Sequence, residues 1–174
     1  MIRQLTLATV LALASLASVT SLAACSKSDS SSSGSSSSDN AEPPAKPFTG
    51  APAAFVVDKI EPTALETRVY NFSDKKVAGW GVLMRYYDDK GNVLKVKVGT
   101  PFEKDFDFWS MSGKRYTAEP KAWASIKIDH LEVPKGAVKA EVLANRMTAL
   151  AADGNSFEQE PLFSMSMMDW PTPK

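Results

Sequence analysis

Between Val77 and Val98 apolar side chains recur at every second position, and that period limits what the chain can become more than anything else in it. Trp80, Val82, Met84 and Tyr86 fall on one side of an extended segment. After Asp88-Asp89-Lys90-Gly91-Asn92, Leu94, Val96 and Val98 fall on one side of a second segment, with Lys95 and Lys97 opposite. A period of two belongs to a strand and not to a helix. It predicts an antiparallel hairpin with one dry face, turning where Gly91 can take a positive φ without steric cost.

The same period returns along the chain. Phe55-Val56-Val57 opens the region, and Leu65, Thr67 and Val69 alternate with Glu66 and Arg68. Ala122, Ala124, Ile126 and Ile128 follow, and Asp153-Gly154-Asn155 offers a last turn into Phe157. Ala137 to Leu150 has helix-forming composition, but Val138, Ala140, Val142 and Ala144 keep the period of two and favour a strand. About seven short strands with turn signals between them predict an all-β antiparallel sandwich.

A further set of residues resembles a family. Val69-Tyr70-Asn71-Phe72-Ser73-Asp74-Lys75-Lys76-Val77 is similar to the approach to the central strand in FxLYD-type immunoglobulin-like domains of prokaryotic lipoproteins. Met84-Arg85-Tyr86-Tyr87-Asp88 stands where that family has Phe-x-Leu-Tyr-Asp, with Met84 and Tyr86 replacing the named Phe and Leu. Asp89-Lys90-Gly91-Asn92-Val93-Leu94 follows as the family's turn, and Val138 to Phe157 is similar to its last hairpin. The resemblance implies an immunoglobulin-like β-sandwich in an extracytoplasmic setting, and it carries no enzymatic residues to transfer.

The N-terminus has a different plan. Arg3 is the only charge before Lys27, and an apolar run from Leu5 to Val19 leads into small residues. That is the layout of a secretory signal peptide. An uncleaved membrane helix is the alternative, though the run is short for a span of roughly 20 residues. Leu22-Ala23-Ala24-Cys25 resembles the lipobox of bacterial lipoproteins. The resemblance implies cleavage before Cys25, lipidation of its sulfur and acylation of the new N-terminus, so that the protein is anchored to a membrane without spanning it. Cys25 is the only cysteine, so no intrachain disulfide can form. Ser26, where Asp would signal inner-membrane retention, implies the outer membrane, facing the periplasm, in a Gram-negative source.

Ten of the thirteen residues from Ser26 to Ser38 are serine, and Pro43, Pro44, Pro47 and Pro52 follow. Such a segment buries too little apolar surface to offset its ordering entropy. It reads as a tether whose mean reach over about 26 residues is roughly 28 Å; a peptidoglycan-binding or glycosylated tract is the alternative. The expected organisation is thus a signal peptide over 1–24, a lipidated cysteine and tether over 25–52, and a sandwich over 53–174. Without Arg3, 19 of the 20 Lys and Arg remain against 20 Asp and Glu. That balance gives no electrostatic reason for a nucleic-acid partner.

Candidate chemistry is sparse. His130 is the only histidine, in Asp129-His130-Leu131-Glu132, and no Gly-x-Ser-x-Gly elbow accompanies it. Glu103, Asp105 and Asp107 alternate with Phe102, Phe106 and Phe108, as on a half-exposed strand edge. Gly79-Trp80-Gly81 lacks the third glycine of a dinucleotide site, and Asp88, Asp89 and Asn92 lack calcium-loop spacing. The chain therefore reads as a binding or assembly module without catalysis and without a cofactor. Met165, Met167 and Met168 offer thioethers to Cu(I) as an alternative metal-binding reading, although methionines also fill core gaps. The long connection from Pro101 to Pro120 carries Phe106, Phe108, Trp109 and Tyr116. With Trp123 they form a candidate recognition surface for an envelope protein or polymer, the other reading being aromatics packed over the end of the sandwich.

Overall fold

The computed structural model describes residues 42–97, 103–166 and 169–171. The signal segment, Cys25, the serine tract, Val98, Phe102, Met167 and Met168 lie outside them.

Among the described residues the chain forms ten β-strands. Six are long: β1 (Ala53–Glu61), β2 (Ala64–Asn71), β3 (Val77–Tyr87), β7 (Asp107–Ser112), β8 (Trp123–Asp129) and β9 (Lys139–Ala149). Four have two residues each: β4 (Val93–Leu94), β5 (Val96–Lys97), β6 (Glu103–Lys104) and β10 (Phe163–Ser164). A single 3-10 turn at Lys114–Tyr116 lies between β7 and β8.

Two antiparallel sheets make the sandwich. One has the order β1-β2-β8. The other runs β10-β9-β3, with β7 and β4 side by side along the far edge of β3. Reading β1, β2, β3, β7, β8, β9 and β10 as A, B, C, C′, E, F and G gives A-B-E against C′-C-F-G, an immunoglobulin-like order without a D strand. A buried tryptophan on strand C belongs to that plan. Here it is Trp80, 2% exposed, packed edge-on against Phe55, with its indole N–H donating to the Tyr116 carbonyl at 2.6 Å.

The alternation of β3 holds on its inner side, where Trp80, Val82, Met84 and Tyr86 meet Leu65, Val69, Ile126, Ile128, Val142 and Met147 in one core. The expected solvated outer side is different, because Gly79, Gly81 and Leu83 are buried as well. The reason is position. β3 is the central strand, flanked by β9 from Val77 to Tyr87 and by β7 from Gly79 to Met84. The expected hairpin partner, β4, pairs only with Tyr86 and Tyr87. The turn itself forms as expected: Gly91 has φ 80°, and the Asp88 carboxylate accepts from the Lys90 and Asn92 amides.

Asn71 explains the Asn-x-Ser-Asp-Lys segment. Fully buried, its Nδ2 donates to the carbonyls of Lys75, Ala118 and Glu119, and its Oδ1 accepts from both the amide and the hydroxyl of Ser73. One side chain thereby ties the β2–β3 loop to the approach to β8.

Packing also begins upstream of Ala53. Ala51 is buried, Pro52 accepts a backbone bond from Phe72, Phe48 meets Phe163, and the Lys46 ammonium lies 5.1 Å from the Phe72 ring centre.

Candidate functional site

The five aromatic residues of the expected recognition surface do not share a face. Register places Trp109 beside Val82, on the core side of β7, and Phe108 beside Leu83, on the outer side. Tyr116 is buried beneath the Trp80 indole, and its hydroxyl donates to Asp129 at 3.2 Å. Phe106 is buried against Trp170, with ring centres 6.0 Å apart. Trp123 belongs to the other sheet, edge-on to Tyr70 with the Arg68 guanidinium 5.6 Å from its ring. The long connection thus carries β6, β7 and the 3-10 turn, and within β7 the period of two puts Trp109 on the core side and Phe108 on the outer side. Phe106, Trp109 and Tyr116 are packing residues, and Phe108 and Trp123 keep half-exposed surface on opposite sheets.

Other candidates also find places. His130 is exposed at the end of β8, in the left-handed region at φ 60°. Asp105 pairs with Lys95, and Glu103 is exposed on β6. Asp107 is half-buried and accepts from the Phe108 amide. Burial holds its carboxyl above the ordinary range; that amide opposes the shift and the charge of Glu132 adds to it. Met165 is half-buried, and its amide donates to the Asn145 carbonyl. Met167 and Met168, the other two thioethers, lie outside the described residues. Among the described residues no three His, Cys, Asp or Glu side chains come together to hold a metal ion.

One concave feature lies on the outer face of the larger sheet. Gly79 pairs with Ser112 on one side and Thr148 on the other, and Gly81 pairs with Ser110 and Arg146. Over Gly79 the neighbouring side chains close in, with the Thr148 Cβ 3.1 Å and the Phe157 ring 3.6 Å from where a Cβ would be. A cleft of about 380 Å3 opens on this face, lined by Gly79, Ser110, Ser112, Arg146, Thr148 and Phe157, with Glu158 beside them. Its size lies within the range of roughly 300–1,000 Å3 common for small-ligand sites.

The sequence builds this cleft through a bulge. Register slips between Gly81 and Val82, where Asn145 is the extra residue of β9. Such a bulge bends a strand and re-aims side chains. Ala144 stays in the core while Asn145 and Arg146 follow on the outer side. Asn145 is 1% exposed, and its Oδ1 has no hydrogen-bond partner. That oxygen lies 2.6 Å from where a Cβ on Gly81 would be, and the Arg146 Cβ lies 3.0 Å from the same point. Only glycine fits there. Glu158 is held by the Lys75 ammonium at 2.7 Å, whereas Arg146 is exposed and makes no ion pair among the described residues.

Sequence reasoning passed over these residues. Gly79-Trp80-Gly81 lacks the pattern of a nucleotide loop, yet glycine at alternate positions of a strand marks close approach to the backbone, here by Thr148 and Asn145. Ser110-Met111-Ser112 carries the matching alternation on the neighbouring strand.

The chain matches no family model, no curated protein and no solved structure. Among the described residues no helix is long and apolar enough to cross a membrane.

Proposed function

We propose that this protein is a lipid-anchored cell-envelope module that binds or assembles, with no catalysis of its own. A lipid on Cys25 holds it to the membrane, the outer membrane on its periplasmic side in a Gram-negative cell. The serine-rich tether lets the body stand off and reorient. The observation that carries the recognition role is the cleft on the outer face of the larger sheet, where the Arg146 guanidinium, without an ion pair among the described residues, lies with the hydroxyls of Ser110, Ser112 and Thr148. Polar groups left without partners in a concavity are what a ligand satisfies.

One acyl chain binds a bilayer only marginally, whereas two or three hold stably, each buried methylene contributing about 0.8 kcal/mol. The module reading therefore expects position to matter. Crosslinked capture from intact cells, comparing the native chain with Cys25→Ser, tests it. Specific envelope components should be recovered with the anchored form and lost with the serine form. Identical recovery from both forms, or none from either, would remove the reading.

A further inference from the structure

Away from the cleft, the outer face of the larger sheet carries an apolar cluster of its own. Phe108, Leu83 and Leu143 stand side by side across β7, β3 and β9. Leu83 is fully buried and Phe106 is 9% exposed, yet neither belongs to the core between the sheets. Part of their cover comes from Asp169-Trp170-Pro171. The Trp170 ring meets Phe106 with ring centres 6.0 Å apart, and the Arg85 guanidinium lies 4.3 Å from its centre.

That segment is held by its indole. Among the described residues no hydrogen bond or ion pair reaches Asp169, Trp170 or Pro171. The chain around β10, a few residues upstream, is by contrast tied to β9 through the Leu162 and Met165 amides. The seat is also incompletely filled, since a cavity of about 330 Å3 opens between Trp170-Pro171 and Glu141-Leu143. Arg85 has its Nε buried without a hydrogen-bond partner and makes no ion pair among the described residues. Segments with so few attachments open at the lowest cost in a fold.

We propose that Asp169-Trp170-Pro171 is a displaceable strap over a peptide-recognition seat, which takes an extended partner segment presenting an aromatic side chain next to a carboxylate. The aromatic replaces Trp170 against Phe106 and Arg85, and the carboxylate gives Arg85 the ion pair it lacks here. The occupant is a peptide because the segment already seated there is one. This inference rests on the binding-module reading for the existence of a partner.

The test titrates the full mature chain, in detergent micelles, with a synthetic peptide of residues 166–171. Nuclear magnetic resonance follows the Arg85 side chain and the Leu83 amide. A strap that fills the seat about nine-tenths of the time raises the apparent dissociation constant about tenfold. Trp170→Ala, which empties the seat, should therefore bind the peptide about tenfold more tightly than the native chain, while Trp170→Phe, which keeps a ring in place, should bind like the native chain. A peptide carrying Trp170→Ala should not bind, and one carrying Asp169→Asn should bind more weakly. Equal affinity in native and Trp170→Ala chains, binding of the tryptophan-free peptide, or no binding to Trp170→Ala at about 1 mM, the effective concentration of a short tethered segment, would each overturn the proposal. So would a Trp170→Ala chain that fails to fold, which would make the segment part of the body's packing, or one that dimerises through the bared face. Because the titration uses purified protein, its failure removes the strap and leaves the anchored-module reading to the capture experiment.

Discussion

Asn71 carries an unusually large share of the fold for one side chain. It satisfies three carbonyls and holds Ser73 twice, all inside the protein. Asn71→Ala would leave those partners buried and unpaired, and each such group costs about 1–3 kcal/mol. A loss of about 3 kcal/mol in urea unfolding is expected; a loss below about 1 kcal/mol would show that the loop closes without it. Gly81 is constrained from the other direction. Gly81→Ala places a methyl against Asn145 and should destabilise by about 1–3 kcal/mol through overpacking. Asp107 gives a pH signature. Burial raises its folded-state pKa, so its contribution is fully present in acid, below the ordinary carboxylate pKa, and is lost as pH rises through the folded value. Asp107→Asn keeps the acceptor for the Phe108 amide and removes the charge. The variant should therefore be more stable than the native chain at neutral pH, with the advantage shrinking toward pH 4. An advantage constant across that range would mean that the carboxyl is not strained by burial.

At the scale of the element, period and neighbourhood contributed differently to what the sequence made legible. The inner faces of β3, β8 and β9 were readable because each strand puts its apolar residues at every second position. The strand reading of Ala137 to Leu150 rested on that period against a helical composition, and it matches β9. Pairing was not readable in the same way. The Asp-Gly turn predicts a long hairpin, but β3 spends its edges on β9 and β7, strands that lie far away in sequence. The cleft was hidden for a related reason: Gly79, Ser110, Ser112, Arg146 and Thr148 come from three strands, and the bulge at Asn145 sets Arg146 and Thr148 on the outer side. The aromatics of the long connection left two readings open because half-burial of alternate residues looks the same from composition as an exposed loop. This topology also orders local stability. The β3 amides are covered on both edges and faces, so their hydrogen exchange should be slowest, near the global limit. The two-residue strand β10 should exchange much faster. Equal protection in β3 and β10 would contradict the central position assigned to β3.

Viewed whole, the molecule divides its surface by use. The edge strand β1 is broken by a bulge between Val57 and Lys59, where Asp58 turns to a two-pronged ion pair with Arg68. Bulges and charge of this kind discourage edge-to-edge association. The outer face of the smaller sheet carries Lys59, Glu61, Glu66 and Lys127 in a linked set of ion pairs. Hydrogen bonds from Lys127 and Lys59 hold the Glu61 carboxyl down to about 2. That face satisfies its own charges, and such exposed pairs contribute little to stability. On the outer face of the larger sheet, Arg146 makes no ion pair among the described residues. The account therefore assigns recognition to one sheet of an anchored sandwich, and site-specific photocrosslinking in living cells tests this most directly. A photoreactive residue at Ser110, in the cleft, is compared with one at Ser125, exposed on β8 of the other sheet. The account predicts a discrete envelope adduct from Ser110 that disappears in the Cys25→Ser chain, and none from Ser125. Adducts of equal yield from both positions, or from Ser125 alone, would contradict it.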